Sequence, residues 1–260
     1  MEQRTLARSP TAPQGWSAAP RPAPIITIDG PAGTGKSTMA LSLAKYFGWR
    51  YIDSGAMYRA VALCAAERGI SWNDEGALIG LCAQLTFAFA IRKGQLVVCV
   101  DGRNVTQAIR RQVVGEGASQ VARLQGIRAI LVRKQQELGG TGGLVMDGRD
   151  IGTVVFPDAE VKFYLDATPD IRGRRRWLEL QQRGEVVSLP EVIEAIRRRD
   201  QEDRTRNASP LQVGEDADYI DTTNLAIDDV FELMVDKVKS FGVSSRSPDS
   251  RQGMGCPQSI

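Results

Sequence analysis

Histidine is absent from all 260 residues of this chain. That excludes mechanisms that turn on an imidazole, including Ser-His-Asp triads, His-ligated zinc and histidine acid–base chemistry. Any chemistry must be carried by Arg, Lys, carboxylates and hydroxyls. Cysteine is scarce too: Cys64, Cys82, Cys99 and Cys256 lie far apart with no C-x-x-C pair. This argues against a metal site or disulfides and predicts core-filling thiols in a reducing compartment. No apolar run approaches the roughly 20 residues that span a bilayer, and residues 1–24 lack the apolar centre of a secretory signal. A cytoplasmic protein without membrane contact is expected. An excess of one charge is also missing, with Lys+Arg 33 against Asp+Glu 31 and a net charge of +2. Whole-molecule charge therefore gives no reason to expect nucleic-acid binding, and any basic site must be local.

What is present is an ordinary globular composition, 42% hydrophobic and 25% charged, enough for a sizeable core. The ends differ. Residues 1–24 are rich in Pro, Ala, Ser and Arg with a single acid, Glu2, and read as a disordered extension, with a transit peptide as the alternative. Residues 242–260, rich in Ser, Gly and Pro, read as a disordered tail. Between them, short apolar runs alternate with helical patterns: IITID to Asp29, RYID to Asp53, LVMD to Asp147, KFYLD to Asp166 and DYID to Asp221. This is the pattern of buried strands in a parallel sheet. All five runs end on aspartate, so a row of acids is expected where ligands meet such sheets, although Asp29, Asp166 and Asp221 read equally well as caps or turn residues. TFAFAIRKGQLVVCV, residues 86–100, alternates around Lys93-Gly94 and predicts a β-hairpin in a small inserted lobe at about 75–115. Two helices follow at about 116–138, and the segment 168–207 is helical and basic, broken at Gly184 and Leu189-Pro190.

The stretch DGPAGTGKST, residues 29–38, fits G-x-x-x-x-G-K-[ST]. Gly30, Pro31, Ala32, Gly33, Thr34, Gly35, Lys36, Ser37 and Thr38 form a loop that wraps nucleotide phosphates in backbone N–H groups, and the apolar strand before it and amphipathic helix after it are the required context. Lys36 is expected to reach the β- and γ-phosphates of ATP and Ser37 to bind Mg²⁺. No N-K-x-D guanine-reading element exists, and the chain is short for a motor or transporter ATPase, which leaves a small-molecule kinase. A hydroxyl acceptor needs a base; a phosphate monoester, with second pKa near 6, needs only cations to bring two polyanions together.

The stripe Leu189, Val192, Ile193, Ile196 continues at helical spacing into Arg199, Asp203 and Arg206. An inward face that turns from apolar to charged reads as the border of a cleft, with a structural ion-pair ladder as the alternative. Arg172, Arg174, Arg175 and Arg176 form a second cluster suited to a lid over ATP, or a solvated helix face.

DGPAGTGKST, with DSGAMYRAVAL (53–63), ASQVAR (118–123), MDGRDIGTVVFPDAEVKFYLDA (146–167) and RRDQEDRTRNASPL (198–211), resembles the bacterial-type cytidylate kinases from about Ile25 to Val238. The resemblance implies an α/β P-loop fold: a five-stranded parallel sheet flanked by helices, an acceptor lobe at about 54–138 and an Arg-rich lid at about 168–188, within a kinase domain at 25–241. It implies transfer of the ATP γ-phosphate to CMP or dCMP. Ser54, Ser119, Arg128 and Asp150 would face cytosine; Arg59, Arg149, Arg199 and Arg206 would hold the acceptor phosphate, and Asp203 the sugar. Lys36, Arg149, Arg199 and Arg206 make the implied catalytic set, with Arg172 and Arg175 on ATP. For Asp150 the residue chemistry agrees, since a carboxylate can accept from the exocyclic amine that cytosine has and uracil lacks. Ser54 reads equally as a helix N-cap. The chain departs from the family pattern at Val113, where an acid is frequent, and at Gly126, where proline is. A monomer acting on CMP, dCMP and ATP, with no nucleic-acid or membrane partner, is the expectation; kinases of UMP or of a hydroxyl compound such as shikimate, and a nucleotide-switched RNA-binding protein, remain as alternatives.

Overall fold

The computed structural model describes residues 23–206 and 208–243. The expected disordered segments fall almost wholly outside them, as does Cys256. Strand β1 (Ile25–Asp29) leads through the phosphate loop into α1 (Lys36–Phe47), followed by β2 (Arg50–Asp53) and α2 (Ser54–Glu67). After α3 (Glu75–Gln84) comes a sheet of β3 (Phe87–Arg92), β4 (Gln95–Val100) and β5 (Arg103–Asn104). Helices α4 (Gln112–Val121) and α5 (Gln125–Gly139) return the chain to β6 (Leu144–Asp147). A π-helical turn, Ile151–Val155, precedes β7 (Val161–Asp166), and the chain ends through α6 (Pro169–Gln182), α7 (Leu189–Thr205), β8 (Asp218–Asp221) and α8 (Ile227–Ser240).

The large sheet has the order β2-β6-β1-β7-β8 with every pair parallel. Its strands are the five apolar runs, each ending on its aspartate. Burial explains why they are continuously apolar: β1 and β6 are buried at every position because helices cover both faces. The hairpin turns at Lys93 and Gly94, both at positive φ, which suits the twist of a two-residue connection.

Two boundaries differ from the sequence reading. The hairpin of the inserted segment gains a third strand, β5, too short to show a period-2 signal. Leu78, Cys82, Val98 and Leu131 of that segment share one core with Ile26, Leu43 and Phe163. Ala23 and Pro24 are ordered, their carbonyls accepting from the Gly143 N–H, while at the other end Val243 packs on the core. The departure at Gly126 has a local reason, since its N–H donates to Glu75 Oε1 at 2.7 Å, a bond proline cannot make. Val113 is 54% exposed and meets no demand for a particular side chain.

Cys64 and Cys82 are buried free thiols, as expected. Cys99 is buried on β4.

Candidate active site

The phosphate loop leaves β1 with Gly30, Gly33 and Gly35 at φ of 141°, 81° and 92°. A Cβ on Gly30 would lie 2.0 Å from the Leu165 carbonyl oxygen, so only glycine lets the loop depart against β7. Gly35 caps α1 without a side-chain bond, and no acid occupies the first turn. By contrast α2 is capped by the Asp53 carboxylate, which accepts from the Ala56 N–H at 2.9 Å. The amino end of α1 is thus an uncompensated positive pole with free N–H groups, a receptor for phosphate oxygens. Thr34 braces the loop by donating to the Pro31 carbonyl at 3.1 Å.

Lys36 is 6% exposed and folds back over the loop, its Nζ donating to the Pro31 carbonyl at 2.5 Å and to Thr34 Oγ1 at 3.3 Å. Burial first, and the charge of Arg149 next, hold its ammonium well below the ordinary lysine value. Ser37 and Thr38 are exposed. The Ser37 hydroxyl donates to Asp147 Oδ2 at 2.9 Å and the Tyr51 hydroxyl to Oδ1 at 2.8 Å. Burial, reinforced by Asp53, pushes Asp147 up to about 6. No group of three or more His, Cys, Asp or Glu among the described residues could hold a metal unaided. The Ser37–Asp147 oxygen pair fits a hard cation that takes its other oxygens from phosphate and water, as Mg²⁺ does.

Asp147 is the site residue that the sequence reading left without a role. The row of strand-end acids pointed to it, but the other four aspartates proved structural. Asp29 accepts from the Ile151 and Gly152 N–H groups, Asp53 caps α2, and Asp166 and Asp221 accept from the amides of Ala167 and Thr223.

On the acceptor side, the turn after β6 and the end of α7 face one another. Arg149 Nε donates to Asp203 Oδ2 at 2.9 Å, and Arg206 lies 3.7 Å from both Asp203 and Asp150. Arg128, from α5, forms a buried ion pair with Asp150 and stacks its guanidinium over Tyr58, 5.6 Å from the ring centre. Burial would push the Asp203 carboxyl up, but Arg149, Arg199 and Arg206 outweigh it and hold it below the usual range. Arg199 is exposed. Desolvation by the surrounding walls and then the like charge of Arg149 press its guanidinium down to about 10. Crowding among guanidiniums is the second cause. Arg59, paired with Asp53 at 2.6 Å, adds to that crowding.

Two buried donors in this cluster lack acceptors, Arg206 Nη2 and Arg128 Nε. Buried guanidinium N–H groups without partners are costly, and they mark a place prepared for an incoming anion or carbonyl.

Several expected site residues sit differently from their sequence reading. Arg206 is the C-cap of α7 in extended conformation and not a further helical position, so it reaches the cleft by leaving the helix. Ser54 is not the N-cap, which is Asp53; its hydroxyl donates to the Asp147 carbonyl at 2.8 Å, underneath the Arg149–Asp150 turn. Ser119 bonds the Gly115 carbonyl of its own helix at 3.3 Å and joins none of the ion pairs. Arg172 is no overhanging lid residue: it is 1% exposed and locked in a bidentate pair with Asp200, also reaching the Ala32 carbonyl. Helix α7 sends Asp200 toward Arg172 on α6 and Asp203 toward Arg149, a division the apolar stripe did not disclose. Arg175 holds Thr222, whose hydroxyl lies 3.3 Å from the Thr34 carbonyl of the loop.

Comparison with known proteins agrees with this arrangement. The family model for cytidylate kinase matches residues 26–240. The chain is 46% identical over 220 residues to a cytidylate kinase of Stutzerimonas stutzeri, covering 84% of this chain and 96% of that one. A cytidylate kinase of Geobacter sulfurreducens is likewise 46% identical over 218 residues, covering 84% and 94%. One of Aeromonas salmonicida is 44% identical over 216 residues, covering 83% and 94%. With a phosphate loop, a parallel five-stranded sheet and this length of match, the chain belongs to the cytidylate kinase family.

Proposed function

We propose that the protein transfers the γ-phosphate of ATP to CMP and dCMP, giving ADP with CDP or dCDP, with Mg²⁺ as the companion ion. The observation that carries the acceptor half of this reading is the pair of unpartnered buried donors, Arg206 Nη2 and Arg128 Nε, on either side of Asp150. A cytidine monophosphate offers both an anion and a base carbonyl to such donors, and its exocyclic amine can donate to a carboxylate. On this reading Asp150, Arg128, Ser54 and Ser119 serve the base; Arg59, Arg149, Arg199 and Arg206 serve the phosphate; and Asp203 serves the sugar.

No residue in the cleft is required as a base. The acceptor phosphate is largely dianionic at neutral pH, and the difficulty lies in bringing it against the donor. The converging guanidiniums lower that repulsion and stabilise the charge shared in transfer. Lys36 exchanges the Pro31 carbonyl for the β- and γ-phosphates. Ser37 and Asp147 would hold Mg²⁺, which would supply positive charge against the phosphates. The catalytic set comes from one chain, and the protein is read as a cytoplasmic monomer. Among the described residues no helix is long and apolar enough to cross a membrane.

Incubating the protein with ATP, Mg²⁺ and CMP is expected to yield ADP and CDP in equal amounts. Consumption of ATP without CDP would contradict the reading.

A further inference from the structure

A buried pair, Arg172 and Asp200, connects the phosphate loop to α7. Arg172, in the first turns of α6, spends four of its five N–H groups on the protein. Its Nε donates to the Ala167 carbonyl at 2.7 Å, its Nη1 to the Ala32 carbonyl and to Asp200 Oδ1 at 3.1 Å each, and its Nη2 to Asp200 Oδ2 at 2.5 Å. Ala32 lies within the phosphate loop. Asp200 lies on α7, one residue from Arg199 and three from Asp203. A single guanidinium therefore fixes the donor loop and the acceptor helix in one frame.

Packing repeats the connection on the same stretch of α6. A Cβ on Gly33 of the phosphate loop would come within 3.0 Å of Arg172 Cβ, and a Cβ on Gly173 within 2.4 Å of Ile193 Cγ1 on α7. The loop and α7 thus rest on consecutive residues of α6 with no space between. A second strut runs from Arg175 through Thr222 to the Thr34 carbonyl.

We propose that Arg172 and Asp200 are positioning residues that couple the two substrate sites: filling the phosphate loop with ATP moves the Ala32 carbonyl, and the rigid fork passes that displacement to α7 and its acceptor-binding side chains. The inference rests on the kinase reading above, with ATP on the loop and CMP against α7. The planar fork suits this task because it constrains direction as well as distance, which a lysine ammonium does not.

Coupling is read as a ratio of affinities, which loss of stability alone leaves unchanged. Calorimetric titration of CMP into the full chain, without and with saturating Mg²⁺ and β,γ-imido-ATP, is expected to show about tenfold tighter binding with the ATP analogue, a coupling typical of linked sites. In Asp200→Asn the ratio is expected to fall below about threefold while CMP binding alone changes little. Arg172→Lys, which keeps the charge but loses the fork, is expected to do the same and guards against a failure of Asp200→Asn to fold. A folded variant of either kind with an undiminished ratio, or no coupling in the parent chain, would overturn the inference and leave the kinase reading standing. Collapse of both variants would make the pair a brace for folding and overturn the positioning role. Failure of the parent chain to bind CMP or the ATP analogue would overturn the kinase reading and the inference with it.

Discussion

Asp150 is shared between two arginines: one carboxylate oxygen is paired with Arg128, and the other lies 3.7 Å from Arg206, all three side chains being at most 8% exposed. At 3.7 Å the second contact is Coulombic and not a hydrogen bond, and Arg206 Nη2 is left without an acceptor. The cleft therefore holds a carboxylate already committed on one side and a guanidinium still open on the other.

Arg206→Ala removes the open donor. It is expected to lower kcat/KM for CMP by on the order of a hundredfold to a thousandfold, as when one charge-stabilising donor is deleted from a reaction site. KM for ATP should hardly move, since Arg206 makes no contact with the phosphate loop; steady-state kinetics with each substrate varied in turn makes the check.

Asp150→Asn acts on stability as well as on selectivity. It leaves the Arg128 guanidinium buried without its counter-charge, and removing one partner of a buried pair costs about 3–5 kcal/mol. A lowered midpoint in urea unfolding should accompany a reduced preference for CMP over UMP, because an amide can meet either base edge.

Ser37→Ala deletes the hydroxyl that donates to Asp147. The expected result is a raised Mg²⁺ requirement and a kcat lowered by roughly a hundredfold or more, with CMP binding unaffected. Titration of activity with Mg²⁺ measures the first effect and calorimetry with CMP the second.

Asp29 gives a pH dependence of known sign. Burial pushes its carboxyl up to about 7 despite the two backbone N–H bonds it accepts. The folded state therefore holds the proton more tightly than the unfolded chain, so this group's contribution to stability is complete below about pH 4 and is lost as pH rises toward about 7. Asp29→Asn should flatten that part of the stability curve. Denaturant unfolding at pH 4.5, 5.5 and 7.5 for both proteins makes the comparison, and an unchanged slope would count against the buried carboxyl as its source.

Much of this was legible in the sequence, for identifiable reasons. The five strands could be delimited because each reads as a short run ending on aspartate, β1 and β6 being buried at every position, and the phosphate loop because its geometry demands glycine at fixed positions. The charged extension of the α7 stripe located Arg199 and Asp203 because helical periodicity survives the change from apolar to charged residues, whereas Arg206 reaches the cleft only by leaving the helix. What escaped depends on approach in space. Asp147 meets Ser37 and Tyr51 from distant parts of the chain, and Arg172 turns inward to Asp200 although its neighbours look like a solvated basic face. No local pattern encodes those meetings.

The most direct measurement is ADP formation from ATP and Mg²⁺ with CMP, dCMP, UMP, AMP and GMP in separate reactions, for the parent chain and Arg206→Ala. Turnover concentrated on CMP and dCMP in the parent and severely reduced in the variant is the result this account requires. Comparable turnover with UMP or AMP, or a variant as active as the parent, would contradict the assignment of the Asp150–Arg206 cleft to cytidine monophosphates.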